Sequence, residues 1–358
     1  MKILSLGLDK KILDPQSAVA RRAVVLGDKV EKYMVIVPSA EQRVDLSAKV
    51  SVWGIAGANK VVTLWRIYKK ASALLKQEKF DLITAQDSSF LGFLGLKLAK
   101  KFHLKYETQI HGFEKNSVLR DYLTSQCLQN ADLVRVVSAR LKNQIKEKYH
   151  LLADKIYIAP VVVDTANLLN SASIDLHKIY PNHFIFLTVG RLVPIKNIAL
   201  QLRAIKKLSN KEKIKLVIVG DGSEKDSLKK LASDLNIREQ VIFYGWQDKI
   251  GDLYHSADCL LLTSDSEGYG LVAVEARNCG LPVIITEVGC ADEVIKDSAH
   301  GLVIPTNDQT ALVQAMEKMR QSEFYDSIKN NLASEKKIDN QESFDIILNR
   351  WQTLIKNY

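Results

Sequence analysis

One stretch constrains this chain more than any other: DCLLLTSDSEGYGLVAVEARNCGLPVIIT, from Asp258 to Thr286. Cys259 to Thr263 is a short, almost wholly apolar run, the pattern of a strand buried on both faces in a parallel sheet. A polar loop containing glycines follows from Asp265 to Gly270. Leu271 to Asn278 then reads as a helix, which Gly280 ends and Pro282 cannot continue. Val283 to Thr286 is the next strand. Such a strand–loop–helix–strand unit puts its loop at the carboxyl end of a strand, where open α/β sheets bind ligands.

Two carboxylates mark that loop. Glu267 lies in it, and Glu275 lies eight residues further on, within the helix. Eight residues turn a helix about 80° past two full turns, so both side chains are expected to face the same cleft. Between them the amides of Gly268, Tyr269, Gly270 and Leu271 open the helix, where free N–H groups and the helix dipole favour phosphate. A phosphate held there, with a carboxylate on either side for hydroxyls, suits a sugar nucleotide. The plainer alternative is a surface loop with a chance pair of acids.

A chain of 358 residues exceeds one ordinary core, and two domains are expected. No apolar run is long enough to span a bilayer. The opening MKILSLGL reads as a buried strand and not as a signal peptide. Cys127, Cys259, Cys279 and Cys290 lack metal-ligand spacing and are expected as reduced thiols of a cytoplasmic protein. Charge is lopsided: residues 1–165 carry 27 Lys and Arg against 16 Asp and Glu, whereas the whole chain is only +9. An anionic partner for the front half is one reading, whether a lipid surface, a phosphorylated acceptor or nucleic acid; a solvated surface is the commoner one.

Along the front half, strands are expected at Lys2–Leu8, Tyr33–Val37, Leu82–Ala85, Lys105–Ile110, Ala131–Val137 and Ile156–Ala159. Helices are expected after Ser17, over Val61–Lys79, Leu91–Lys101 and Ala139–Lys148. The loop after the first strand has no glycine and so lacks a phosphate-cradling signature. His111-Gly112-Phe113-Glu114 ends one strand, and a histidine there could reach a ligand, although a lone histidine is more often structural. The polar segment Asp164 to Asn182 is the expected domain junction. The pattern then restarts: Phe184–Val189 ends in Gly190-Arg191, Lys215–Val219 ends in Gly220-Asp221-Gly222, and Val241–Tyr244 ends at Gly245. Two doubly wound, parallel-sheet domains in series are therefore expected, 1–165 and 166–340. An amphipathic tail helix, 341–358, would return to the first. Arg191 and Lys196 follow a strand at the same end of the second sheet as Glu267. Two cations there would neutralise a diphosphate leaving group, often the largest catalytic contribution.

Together these elements resemble the retaining, nucleotide-sugar-dependent glycosyltransferases of the GT-B type, family 4. The resemblance rests on VGRLVPIKN with Arg191 and Lys196, VGDG at Val219 to Gly222, the Glu267 and Glu275 pair within SEGYGLVAVEA, and GLPVI at Gly280 to Ile284. It implies donor contacts from Gly190, Arg191, Lys196, Gly220, Gly245, Glu267, Gly268, Tyr269, Gly270, Leu271 and Glu275. It also implies catalytic roles for His111, Arg191, Lys196 and Glu267, with His111 near the transferred sugar. Besides the first loop, which lacks the glycine pair of many members, two stretches depart from the family pattern. Val288-Gly289-Cys290-Ala291-Asp292-Glu293 replaces a double glycine, and Pro160-Val161-Val162-Val163-Asp164 replaces Pro-Asn-Gly. The expectation is a retaining hexosyltransferase using a UDP-, GDP- or ADP-sugar and a glycan or lipid-linked acceptor in cell-surface polysaccharide or glycolipid assembly. It would need no metal or cofactor and no nucleic acid, and would lie in the cytoplasm, with peripheral contact to an anionic membrane as an added hypothesis. A nucleotide-sugar epimerase of the same architecture is the rival; a nucleic-acid-binding protein is the weaker one.

Overall fold

The computed structural model describes residues 1–112, 117–151, 153–163, 168, 174–247, 249–338 and 341–356. The chain divides into two units, one of Met1–Val162 with Asn340–Tyr358, the other of Val163–Asp339. Residues 164–167 and 169–173 of the junction expected over 164–182 lie outside the described residues, as do Phe113 and Glu114 of the histidine loop.

Unit one opens with β1 (Lys2–Leu6), α1 (Ala18–Gly27) and β2 (Lys32–Pro38). The Ser17 hydroxyl accepts from the Ala20 amide at 3.1 Å, satisfying one of the helix's orphan donors. The chain next makes two strands where the sequence reading has none, β3 (Gln42–Asp45) and β4 (Val50–Ile55). A short turn joins them, so they must run antiparallel. This corrects the all-parallel expectation at one edge strand, whose Gln42, Arg43 and Asp45 suit an exposed edge. Strict alternation then resumes through α2 (Lys60–Gln77), β5 (Leu82–Ala85), α3 (Phe90–Phe102), β6 (Lys105–Ile110), α4 (Val118–Asn130), β7 (Leu133–Val136), α5 (Ala139–Tyr149) and β8 (Ile156–Ile158). α4 also escapes the sequence reading, because Thr124 shares its narrow buried face with Leu123, Cys127 and Leu128. The strand order is β3-β4-β2-β1-β5-β6-β7-β8.

Unit two runs α6 (Leu176–Ile179), β9 (Phe184–Val189), α7 (Ile198–Lys207), β10 (Ile214–Val219), α8 (Lys225–Asp234), β11 (Val241–Gly245), α9 (Gly251–Ser256), β12 (Cys259–Leu262), α10 (Leu271–Asn278), β13 (Val283–Thr286), β14 (Gly301–Ile304), α11 (Gln309–Met319) and α12 (Ser322–Ser334). Its sheet is parallel throughout, in the order β11-β10-β9-β12-β13-β14. That is the dinucleotide-fold order, reversing between β9 and β12. Both sheet faces are covered, so Phe186, Ile218, Leu261 and Ile284 are all buried.

The last helix, α13 (Gln341–Lys356), packs in unit one. Its Phe344, Ile347, Leu348 and Trp351 recur at helical spacing and join Tyr33, Leu133 and Tyr157 in one buried cluster.

Candidate functional site

Strand order decides where a ligand can enter unit two. β9 and β12 flank the reversal, and the loops leaving their carboxyl ends are not bridged by a crossover helix. After β9 the chain passes Gly190 and Arg191 into a 3-10 turn, Pro194–Lys196. Backbone and side-chain bonds hold this turn to the loop after β12. The Asp265 amide donates to the Ile195 carbonyl at 2.8 Å. Asn197 Nδ2 donates to Asp265 Oδ1 at 3.0 Å. The Thr263 hydroxyl donates to the Asn197 carbonyl at 3.2 Å. Behind them Gln201, buried on α7, takes the Thr188 hydroxyl at 2.6 Å and donates to Thr263 Oγ1 at 2.8 Å. Every polar atom of that amide faces a partner, which fixes the loop's register.

The consequence is a contact between Lys196 Nζ and Glu267 Oε1, both half-buried. The Ser264 hydroxyl donates to the same oxygen at 2.7 Å. α10 starts one short loop away, at Gly270, with no side-chain cap and no acid in its first turn. Gly270 has φ +86°, a backbone state that side-chain-bearing residues rarely adopt. An uncapped helix start beside a lysine is a concentration of positive potential. Arg191 is exposed on the same strand-end loop and engages no acceptor among the described residues. It lines, with Gly190, Lys196 and Ser264, a small cavity of about 10 Å³, room for about one water.

The other candidates in unit two fall around this point. Gly190, Gly220 and Gly245 close the neighbouring strands β9, β10 and β11. A Cβ on Gly220 would lie 1.8 Å from the Gly190 carbonyl oxygen, so the two loops pass backbone to backbone. Tyr269 is buried and its carbonyl accepts from the Cys290 amide at 2.7 Å. The stretch Val288–Glu293, which departs from the family pattern, thus braces the Glu267–Gly270 loop. Glu275 accepts from the Tyr254 hydroxyl at 2.8 Å; burial and that carboxylate raise the Tyr254 pKa. Gly268 and Leu271 complete the loop.

His111 belongs to unit one. It follows β6, and with Gln109, Gln86, Asp87, Phe90 and Arg120 it lines a cavity of about 1040 Å³. β1 and β5 flank the order reversal of this sheet, and Leu8, Gln86 and Asp87 lie just beyond their carboxyl ends. His111 keeps access to solvent. Even so, desolvation by the protein around the ring, then the charges of Arg135 and Arg22, lower its pKa from 6.5 to about 3. The ring is neutral at pH 7.

Ser264, Gln201, Thr263, Tyr254 and Gln109 are missing from the sequence reading. Ser264 alone had a visible signal, three residues before Glu267 in the same loop. Among the described residues no three His, Cys, Asp or Glu side chains form a group able to hold a metal ion. No helix among them is long and apolar enough to cross a membrane.

Comparison with known proteins bears on the family and the fold. The family model Glycosyltransferase Family 4 matches residues 20–167, and Glycosyl transferases group 1 matches residues 172–337. An uncharacterized glycosyltransferase of Methanocaldococcus jannaschii is 29% identical over 67% of this chain and 66% of its own length. UDP-Gal:alpha-D-GlcNAc-diphosphoundecaprenol alpha-1,3-galactosyltransferase of Escherichia coli is 27% identical over 68% and 67%. The chain spans about two thirds of the curated relatives it matches. Among solved structures, Anabaena HepE in complex with UDP and glucose superposes with a TM-score of 0.80 at 19% identity, covering 99% of this chain and 100% of that one. That likeness is one of fold, two parallel-sheet α/β domains of the GT-B class. Between them the two family models account for both units, and the chain belongs to the glycosyl transferases group 1, of the family 4 type.

Proposed function

We propose that this protein transfers a hexose from a nucleoside-diphosphate sugar to a glycan or lipid-linked acceptor, with retention at the anomeric carbon. The reading rests on one observation: the Lys196–Glu267 contact beside the uncapped start of α10, at the order reversal of unit two. A diphosphate entering there would draw Lys196 and Arg191 onto its oxygens and take the α10 amides as donors. Glu267, released from Lys196, would then accept from hydroxyls of the transferred sugar, and Glu275 from those of the ribose. The two cations and the helix start would supply the charge that a divalent ion supplies in other transferases, so turnover should survive chelator.

UDP is the preferred nucleotide, on the strength of the HepE complex and the UDP-galactose-dependent relative. The diphosphoundecaprenol named for that relative supports a lipid-linked acceptor and a role in cell-surface polysaccharide or glycolipid assembly. Unit one would take the acceptor in its large cavity. Val61 and Trp65 on α2 and Val118, Leu119 and Tyr122 on α4 are exposed, among the lysines of the basic half. That combination suits a cytoplasmic protein resting on an anionic leaflet.

A panel of UDP-, GDP- and ADP-sugars, read by thermal shift and by nucleotide release with and without a polyprenyl-diphosphate glycan, tests the reading. One nucleotide class should raise the melting temperature and be released only with acceptor, and the product's anomeric coupling should match the donor's. Conversion of donor to its epimer without acceptor would favour an epimerase instead. Sedimentation with anionic against zwitterionic vesicles tests the membrane contact, and equal binding to both removes it.

A further inference from the structure

β6 points Glu107, Gln109 and His111 to one side of its sheet, two residues apart along the strand. Glu107 is fully buried, a carboxylate that no step above uses. Four donors surround it: the Thr84 hydroxyl at 2.5 Å, the Trp351 indole N–H at 2.9 Å, the Gln109 amide at 3.2 Å, and the Tyr157 hydroxyl. Burial and the Glu107 charge push the Tyr157 pKa up, so that hydroxyl stays a donor.

The next link follows from valence. A side-chain amide's nitrogen and oxygen are told apart by their partners. Gln109 Nε2 faces the acceptor-only carboxylate and also reaches Thr84 Oγ1 at 2.7 Å, whose own proton goes to Glu107. Gln109 Oε1 faces Arg135 Nη1, a group that can only donate, at 3.4 Å. Both ends give the same orientation. Oε1 also lies 3.1 Å from His111 Nε2. An amide oxygen cannot donate, so Nε2 must carry the proton, and in a neutral imidazole Nδ1 is then the lone-pair nitrogen. Arg135 is itself anchored, donating to the Ala159 and Pro160 carbonyls, each at 3.2 Å.

We propose that Glu107 and Gln109 are positioning residues that hold His111 in its Nε2–H tautomer, so that Nδ1 meets a substrate hydroxyl as a hydrogen-bond acceptor. The substrate half of this statement rests on the transferase reading; the tautomer half does not. Trp351 and Tyr157 act one step further back, by holding Glu107 in place.

The test uses the full chain labelled with 15N-histidine, with the His111→Gln variant identifying the ring resonances by their loss. In the unaltered protein Nε2 should resonate as a protonated nitrogen and Nδ1 as an unprotonated one, unchanged from pH 8 to pH 5. Glu107→Gln places an amide where the carboxylate was, which favours reversal of Gln109 and should move the ring proton towards Nδ1. Gln109→Leu removes the acceptor and should give a mixture of tautomers. Both variants should lower kcat about tenfold or more with donor KM little changed, since the proposed diphosphate and ribose contacts lie in unit two. A protonated Nδ1 in the unaltered protein, or an unaltered nitrogen pattern in both folded variants, overturns the proposal; should the variants not fold, the unaltered protein's spectrum alone decides. The expected tautomer in a protein that releases no nucleotide with any donor would instead remove the transferase reading and leave the positioning intact.

Discussion

The two units solve one problem, presenting polar groups at the order reversal of a parallel sheet, with different materials. Unit two uses strand-end glycines, a helix start without a side-chain cap and a lysine–glutamate contact. Unit one has a cavity of about 1040 Å³ and a neutral histidine backed by a buried carboxylate. Charge sits at the surface of the first site and is withdrawn into the interior of the second. A charged site with free helix amides suits a diphosphate. A roomy site with a neutral acceptor suits a partner recognised by its hydroxyls. A shared reversal of strand order therefore does not dictate identical chemistry.

Four perturbations would break or sharpen this contrast. Trp351→Ala should have the largest effect, about 3–5 kcal/mol of stability for a fully buried indole, and it also takes one donor from Glu107. Urea unfolding should show the loss; a change under about 1 kcal/mol would mean α13 is not integral to unit one. Lys196→Ala should follow, with turnover down about a hundred- to a thousandfold and the melting temperature little moved. Near-normal nucleotide release would detach Lys196 from the chemistry. Gly220→Ala forces a Cβ to within 1.8 Å of the Gly190 carbonyl, an overpacking strain of about 1–3 kcal/mol. It should weaken donor binding in calorimetry while the His111 nitrogen pattern stays as it was.

The smallest effect concerns pH. The unfolded chain takes up a proton at His111 as pH falls through 6.5, whereas the folded chain resists until about 3. The unfolded state thus binds more protons in that window, and the site destabilises the fold progressively on acidification. His111→Gln should lose less melting temperature between pH 7 and pH 4 than the unaltered protein. Equal losses would show that the ring is not held neutral.

Much of this contrast is legible in the chain. Apolar runs place the strands, and the charged residues after them fall at one end of each sheet. The strand–loop–helix–strand unit over 258–286 emerges with β12, α10 and β13 as read. What escapes has a common physical cause: polar groups whose partners are distant in sequence. Gln201 on α7 looks like a surface residue until Thr188 and Thr263 close on it. Glu107 reads as a charge at a strand's edge until Trp351, 244 residues away, donates to it. β3 and β4 escape for a different reason, a hairpin inserted in an otherwise alternating series. Periodicity reports which face is buried and says nothing of which polar atom meets which.

The Trp351–Glu107 bond also bears on how the protein is made. Unit one's core takes in residues from the first strand and from α13, so a ribosome must synthesise all of unit two before unit one can close. Until residue 351 has emerged, the nascent amino-terminal half holds a carboxylate with its indole cover missing, and it should interact with chaperones for longer than the independently complete second half.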